Sequence, residues 1–516
     1  MNGAQALIAT LVDNGVDVCF ANPGTSEMQF VAGLDAVPGM RAVLGLFEGV
    51  VTGAADGFGR MAGRPAATLL HLGPGLGNGL ANLHNARRAR TPLVNVVGDH
   101  ATYHKRYDAL LDSDIEAVAG TVSGWLQRCE ATPDLGADTA AAVAAATRPP
   151  GQIATLILPA DVSWSEGGEP CPPAPPTRAA TVADETVKTV ASALGSGEPC
   201  ALLLGGPATR GPALEAASRI EGATGADLWC EVFPARLEQG AGIPPVRRLA
   251  YLPEMASAQL AGVRHLVLVG ARSPVSFFAY PGLPSDLVPE GCEVHVLAGP
   301  GDDAAGALGD LADLVASRAQ PTRRPAGRPD LPTGQLNPDS IAAAVGALLP
   351  EEAIVVDEAV TAAASLPQAT AGAPPHDWLT LTGGAIGQGL PLATGAAVAC
   401  PDRPVLCLEG DGSAMYTISA LWTQAREALD VTTVIYSNRA YAILDMELGR
   451  VGARRGEAAN GLLSLRPPAL DFVALARGMG VPAERAGTAE ELTGALRRAV
   501  AEEGPHLIEA VTAPAS

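Results

Sequence analysis

Short apolar runs alternate with segments of helical periodicity along the whole sequence, and that alternation admits few folds. In the first third, Val16 to Phe20, Ala66 to Leu70 and Pro92 to Val97 read as strands. Ala4, Leu7, Ile8, Leu11 and Val12 fall at helical spacing, with Gly15 placed to end that helix. Ala201 to Gly205, His265 to Gly270 and Val294 to Leu297 repeat the pattern in the middle of the chain. Ala353 to Val356, Val405 to Leu408 and Val431 to Tyr436 repeat it again towards the end. Strands separated by helices pair in parallel and carry helices on both faces of the sheet. The expected class is therefore α/β, built from doubly wound parallel sheets.

At 516 residues the chain is too long for one core. Two proline-rich stretches mark the joints. Gly167 to Arg178 contains Pro170, Pro172, Pro173, Pro175 and Pro176, and Pro321 to Pro338 adds five prolines and a cluster of arginines. Both read as extended linkers. Three domains follow, over residues 1–165, 180–320 and 336–516.

A net charge of −21 argues against nucleic acid and anionic membranes as partners. Asp13, Asn14 and Asp17 interrupt the first twenty residues, so no secretory leader is expected. No apolar run reaches the roughly 18 residues of a membrane span. The expected location is the cytoplasm. Eight cysteines stand at 19, 129, 171, 200, 230, 292, 400 and 407 without a CxxC or a Cys/His cluster. They read as reduced core residues and argue against a zinc site.

The chemistry concentrates near the end of the chain. Gly410-Asp411-Gly412-Ser413 follows the run Val405 to Leu408, Ser437-Asn438-Arg439-Ala440 follows the run Val431 to Tyr436, and Ile418 to Leu429 between them reads as a helix. A strand–helix–strand unit of this kind sets the Asp411 carboxylate and the Asn438 amide at neighbouring strand ends, where open parallel sheets bind ligands. Hard oxygens suit Mg²⁺ shared with phosphate. Glycines around Asp411 let backbone N–H groups approach a diphosphate.

Gly-Asp-Gly followed by Asn 27 positions after the Asp resembles the diphosphate motif of thiamine-diphosphate enzymes, and Ser413 to Thr423 is similar to benzoylformate decarboxylase, a relative of acetolactate synthase. The resemblance implies a pyrimidine-binding domain, a central domain and a diphosphate-binding domain. It implies thiamine diphosphate and Mg²⁺ as cofactors, with the metal on Asp411, Asn438 and the Ala440 carbonyl. Ser437 replaces an Asn common in the family that is not a metal ligand. Glu48, after the apolar run Ala42 to Leu46 and before Ala54-Ala55-Asp56-Gly57, matches the family's proton-handling glutamate. A carboxylate after an apolar strand sits in a low-dielectric setting that suits proton donation. Ile386, in Gly383 to Gly389, matches the residue that wedges the two cofactor rings apart, and the Gly384 carbonyl matches the acceptor for the pyrimidine amino group. Thr361, Ser413 and the Gly412 amide match diphosphate contacts. Thr25 and His71 match groups that face the substrate.

Two departures from benzoylformate decarboxylase stand out. Ser273 to Tyr280 holds no counterpart of its second active-site His, and Thr380, Met446 and Glu447 replace an aromatic pocket. A small or polar 2-oxo acid is therefore expected rather than benzoylformate. Gly270-Ala271-Arg272 echoes a flavin segment of acetolactate synthases, but the residues after it do not, so FAD reads as absent. The resemblance further implies a homodimer or homotetramer with shared sites. The expected activity is 2-oxo acid decarboxylation or carboligation, which share their steps through the carbanion. One alternative is a thiamine-diphosphate-binding protein without turnover, against which Glu48 argues. Another is a flavin or nicotinamide oxidoreductase, hinted at by Gly73-x-Gly75-x-Gly77 but lacking an acidic residue about 20 positions on.

Overall fold

In the computed structural model, which describes residues 1–513, each third of the chain contributes six strands. The first third supplies β1 (Val18–Asn22), β2 (Arg41–Leu44), β3 (Ala66–Leu70), β4 (Leu93–Asp99), β5 (Trp125–Arg128) and β6 (Ile153–Pro159). They form one parallel sheet in the order β2-β1-β3-β4-β6-β5. The middle third supplies β7 (Cys200–Leu204), β8 (Asp227–Cys230), β9 (Leu237–Gln239), β10 (Arg247–Arg248), β11 (His265–Val269) and β12 (Glu293–Ala298). The last supplies β13 (Ile354–Glu358), β14 (His376–Thr380), β15 (Val405–Gly410), β16 (Val431–Ser437), β17 (Ala483–Ala486) and β18 (His506–Val511). Five of the middle strands pair in parallel as β10-β8-β7-β11-β12.

The third sheet runs β17-β18-β16-β15-β13-β14-β9. Its last member comes from the middle third: β9 pairs antiparallel with β14, with Leu237 opposite Trp378. Arg236 Nε binds Asp377 Oδ1 at 2.6 Å just before that strand and holds the seam. Three residues carry no readable period, so the sequence does not announce this exchange.

The proline-rich segments carry neither helix nor strand over 167–179 and 321–333. Pro338 is instead the first residue of the helix Pro338–Leu348, capped by Asn337, which suits a proline that has no N–H to donate. The helix expected over Ile418 to Leu429 is confined to Ala420–Arg426. All eight cysteines are free, and Cys19, Cys129, Cys200, Cys230 and Cys407 are buried. Among the described residues no helix is long and apolar enough to cross a membrane.

The cores are shared between blocks. One apolar cluster runs from Phe20 and Phe58 through Leu390 to Ile435, and another from Leu202 and Leu308 through Val355 to Ile508. The first depends on a close crossing of the helices Glu48–Ala62 and Gly389–Ala399. A Cβ on Gly395 would stand 1.8 Å from the Ala54 carbonyl oxygen, and one on Gly57 2.0 Å from that of Leu392. Both obstacles are backbone, so only glycine permits this approach. Gly395→Ala is expected to cost about 1–3 kcal/mol and lower the melting temperature. Gly77→Ala is the control: its added Cβ meets nothing within 4 Å inside the helix Leu72–Ala89, so it should be neutral or stabilise by about 0.5–1 kcal/mol.

Candidate active site

Two strand-order reversals position the candidate residues. In the third sheet β13 leads outward to β14 and β15 leads the other way to β16, which opens a crevice between the carboxyl ends of β13 and β15. Asp411 opens a short helix directly after β15 and is buried. Its Oδ1 accepts the Gly412 N–H at 2.9 Å and its Oδ2 accepts the Arg439 N–H. Gly410 pairs with Tyr436, so Asn438 stands across the neighbouring strand end. Its Oδ1 accepts the Ala440 N–H at 2.9 Å. Asp411, Asn438 and Ala440 thus set two side-chain oxygens and a carbonyl at the ends of two neighbouring strands, a hard-oxygen donor set. Burial raises the Asp411 pKa to about 6, against the two N–H groups that favour its charged form. Gly412 must lack a Cβ, which would meet the Tyr441 ring at 2.4 Å.

Thr361 follows β13 in an exposed turn, just after Val360 at φ +52°, while Ser413 is buried after β15. The loop 383–389 follows β14, with Gly384 at φ +75° and Gly387 at φ +92°, and Ile386 half-buried between them. Beneath the crevice lie two buried carboxyls absent from the motif reading. Glu358 Oε1 accepts the Gly387 N–H at 2.7 Å and its Oε2 accepts that of Gly389. Glu409 lies beside it in direct β13–β15 register. Burial raises the Glu358 pKa to about 7, and burial together with the Glu358 charge raises that of Glu409.

In the first sheet the reversal falls between β1 and β3. Thr25 is exposed after β1, and His71 follows β3 as the residue before the helix Leu72–Ala89. His71 Nδ1 lies 2.8 Å from Glu27 Oε2, which also accepts the Gly24 N–H at 2.7 Å. Gly24 leaves room for the ring, since its Cβ would stand 2.2 Å from His71 Nδ1. Glu27 is buried, and burial raises its pKa against the pull of that N–H and of His71. Sequence reasoning missed Glu27. The signal available was a glutamate three residues after the turn glycine, the spacing at which a side chain reaches back to a preceding N–H.

Glu48, after β2, is the first residue of its helix and is buried. Asn78 Nδ2 donates to its Oε2 at 2.9 Å, and its Oε1 accepts no hydrogen bond among the described residues. A Cβ on Gly75 would crowd that oxygen at 2.9 Å. Asn82 Nδ2 donates to the Gly49 carbonyl at 2.8 Å and to the Gly387 carbonyl at 3.2 Å. Within one chain, therefore, the start of the Glu48 helix and the glycine-rich loop lie side by side.

Thr380, Met446 and Glu447 add no aromatic ring to the site from the third block, in keeping with the sequence. Thr380 is buried in β14 and donates its hydroxyl to the Pro234 carbonyl at 2.8 Å. Aromatic rings arrive instead from the middle third. Phe277 packs with Phe233, Tyr251 and Phe278 at ring-centroid distances of 5.9, 5.2 and 4.9 Å. It also covers Gly384, where a Cβ would meet its Cζ at 2.5 Å. Position-by-position matching in the third block cannot see a ring supplied by the second. Glu447 is not an uncompensated charge either. Its Oε1 accepts from Tyr280 at 2.9 Å and Tyr251 at 3.2 Å, while Met446 beside it is exposed.

Residues 1–124 match the model of the thiamine pyrophosphate enzyme N-terminal TPP binding domain, and residues 360–510 that of the C-terminal TPP binding domain. The chain belongs to the thiamine pyrophosphate enzyme family. It is 69% identical over 513 residues to the Mycobacterium tuberculosis protein named "Putative acetolactate synthase large subunit IlvX", covering 99% of each chain. It is 32% identical to benzoylformate decarboxylase of Pseudomonas aeruginosa over 97% of this chain and 96% of that one. The structure of thiamine diphosphate-dependent 4-hydroxybenzoylformate decarboxylase from Rhodococcus jostii RHA1 superposes with a TM-score of 0.87 at 25% identity, over 100% of both chains. This thiamine-diphosphate-dependent enzyme thus has the three-domain α/β fold and the kinship that its Gly-Asp-Gly motif implied.

The buried carboxyl of Glu358 gives the enzyme a pH signature. Its pKa in the folded chain exceeds the ordinary 4.5, so its stabilising effect is complete below that value and is lost as pH rises through about 7. The melting temperature of the cofactor-free protein should fall across that window. Glu358→Gln should make the fall shallower, as calorimetric melts at a series of pH values would show.

Proposed function

We propose that the enzyme is a Mg²⁺-dependent 2-oxo acid decarboxylase or carboligase. The hard-oxygen set Asp411, Asn438 and Ala440 at the third switch crevice carries this reading. When bound, thiamine diphosphate supplies a carbon nucleophile and an electron sink for loss of the carboxyl group from a 2-oxo acid. Asp411, Asn438 and the Ala440 carbonyl hold the metal, and the Gly412 N–H with the Ser413 and Thr361 hydroxyls take the diphosphate. Ile386 would pack against the bound cofactor, and the Gly384 carbonyl would accept from its pyrimidine amino group. Glu48 handles the proton at the pyrimidine nitrogen through its open Oε1. His71, oriented by Glu27, and the exposed Thr25 hydroxyl meet the substrate carboxylate and its proton.

FAD has no place in this proposal. The residues after Gly270-Ala271-Arg272 depart from the flavin segment of acetolactate synthases, which supports leaving it out. A homo-oligomer with sites shared between copies and a cytoplasmic location complete the proposal. Eight unpaired thiols support the second.

Calorimetry tests the cofactor site. Asp411→Ala should abolish Mg²⁺-dependent thiamine diphosphate binding, and undiminished affinity in that variant would remove the assignment. In the wild type, affinity should fall about tenfold per unit below pH 6, because Asp411 must lose its proton to take the metal. Glu48→Gln should bind cofactor but slow exchange of its C2 proton by orders of magnitude.

Two substrate readings have support. Glu447, held by two tyrosines, favours a small or polar 2-oxo acid whose side chain can donate to it. The Phe277 and Tyr251 rings favour an aromatic one. A panel of pyruvate, branched, cationic and aromatic 2-oxo acids, with aldehyde and acyloin products both assayed, separates them. Small or polar acids are expected to lead, and Glu447→Gln should raise KM for them selectively. Preferential turnover of benzoylformate would give the site to the aromatic reading.

A further inference from the structure

The amino ends of β11 and β12 carry a polar cluster that the cofactor site does not use. His265 opens β11 and Glu293 opens β12 as direct register partners, and His295 stands two residues further along on the same face as Glu293. His265 Nδ1 lies 3.1 Å from His295 Nε2. Glu293 Oε2 lies 3.9 Å from His265 Nδ1, and Glu293 Oε1 lies 3.9 Å from His295 Nε2. The second nitrogen of His265, Nε2, lies 3.0 Å from Glu198 Oε2. Donation of its proton to Glu198 leaves Nδ1 with a lone pair aimed at the space shared with His295 and Glu293. Both imidazoles are largely buried, at 12% and 9% side-chain exposure, whereas Glu293 is 69% exposed and reaches in from the rim.

We propose that His265, His295 and Glu293 form a binding site for a zinc-class divalent metal ion, with Glu198 as the outer partner that orients His265. Two imidazole nitrogens at about 2.0–2.1 Å from a tetrahedral Zn²⁺ stand roughly 3.4 Å apart, close to the spacing already present. Nitrogen-rich donors favour this class over Mg²⁺ or Ca²⁺. A carboxylate on the far nitrogen of a metal-bound histidine fixes its tautomer and raises its basicity. The cysteine pattern argued against zinc, but this site uses no cysteine. Its ligands come from two strands whose pairing the sequence does not show. The loop that brings Phe277 to Gly384 leaves the opposite, carboxyl end of β11, about 17 Å away along the strand. An ion here would therefore staple β11 to β12 and take no part in the chemistry of the cofactor site.

The test titrates chelator-treated full-length enzyme, loaded with thiamine diphosphate and Mg²⁺ so that the Asp411 site is filled, with Zn²⁺ by calorimetry. Co²⁺ serves as a visible-absorption probe of nitrogen ligation. Saturable uptake of one ion per chain is expected, together with a rise in melting temperature. His265→Ala and His295→Ala should each weaken uptake by about tenfold or more, and Glu198→Gln by about 10–100-fold. Glu293→Gln changes an exposed side chain, so it tests the third ligand with the fold intact. Absence of saturable uptake in the wild type would overturn the site, leaving a plain Glu–His–His hydrogen-bonded chain. So would unchanged affinity in folded Glu293→Gln and His295→Ala proteins.

Discussion

One buried ion pair holds the three blocks in register. Asp56 and Arg60 face each other one turn apart on the Glu48–Ala62 helix, with Arg60 Nη2 at 2.6 Å from Asp56 Oδ2 and both side chains almost fully excluded from water. Such a pair stabilises only when every remaining donor and acceptor is satisfied. Here Asp56 also accepts from Thr91 and from Gln388, while Arg60 donates onward to the Thr380 carbonyl, the Thr382 hydroxyl and the Ala235 carbonyl. One charge pair thereby fixes residues of all three blocks. The loop 383–389 can lie against the Glu48 helix because Gln388 is tied to Asp56 and because Gly57 and Gly395 let the helices touch.

Around that node, the fold concentrates carboxyls where strands end. Glu27, Glu358, Glu409 and Asp411 all have pKa values raised by burial. A chain under selection for stability alone would not bury four acids so close to the switch crevices. Groups tuned in this way are the usual mark of a site built for charge and proton handling. Backbone N–H groups from Gly24, Gly387, Gly389, Gly412 and Arg439 answer most of these carboxylates. The glycines therefore serve the electrostatics of the site as well as its turns.

Much of this was legible in the sequence, for a physical reason. Parallel strands buried on both faces read as continuous apolar runs, and short turns keep functional groups next to the strands that aim them, so β15, β16, Asp411 and Asn438 could be placed. What escaped depends on contacts between distant segments. Glu27 matters through His71, 44 residues away, and Glu409 through Glu358. The Phe277 rings reach Gly384 from another block, and Glu447 finds its tyrosines there too. None of these pairings has a local period or spacing to betray it.

The short strand β9 bears on how the three blocks relate as inheritable units. The proline-rich linkers suggest modules that could be cut and exchanged, yet β9 crosses that boundary to cover the outer edge of β14. A C-terminal fragment starting at residue 336 would leave the outer-edge backbone N–H and carbonyl groups of β14 unpaired, an open template for self-association. The visible hinges of the chain are therefore not its seams. Recombination or truncation at the prolines would sever a sheet, and the third domain can be handed on intact only together with residues 237–239 of its neighbour.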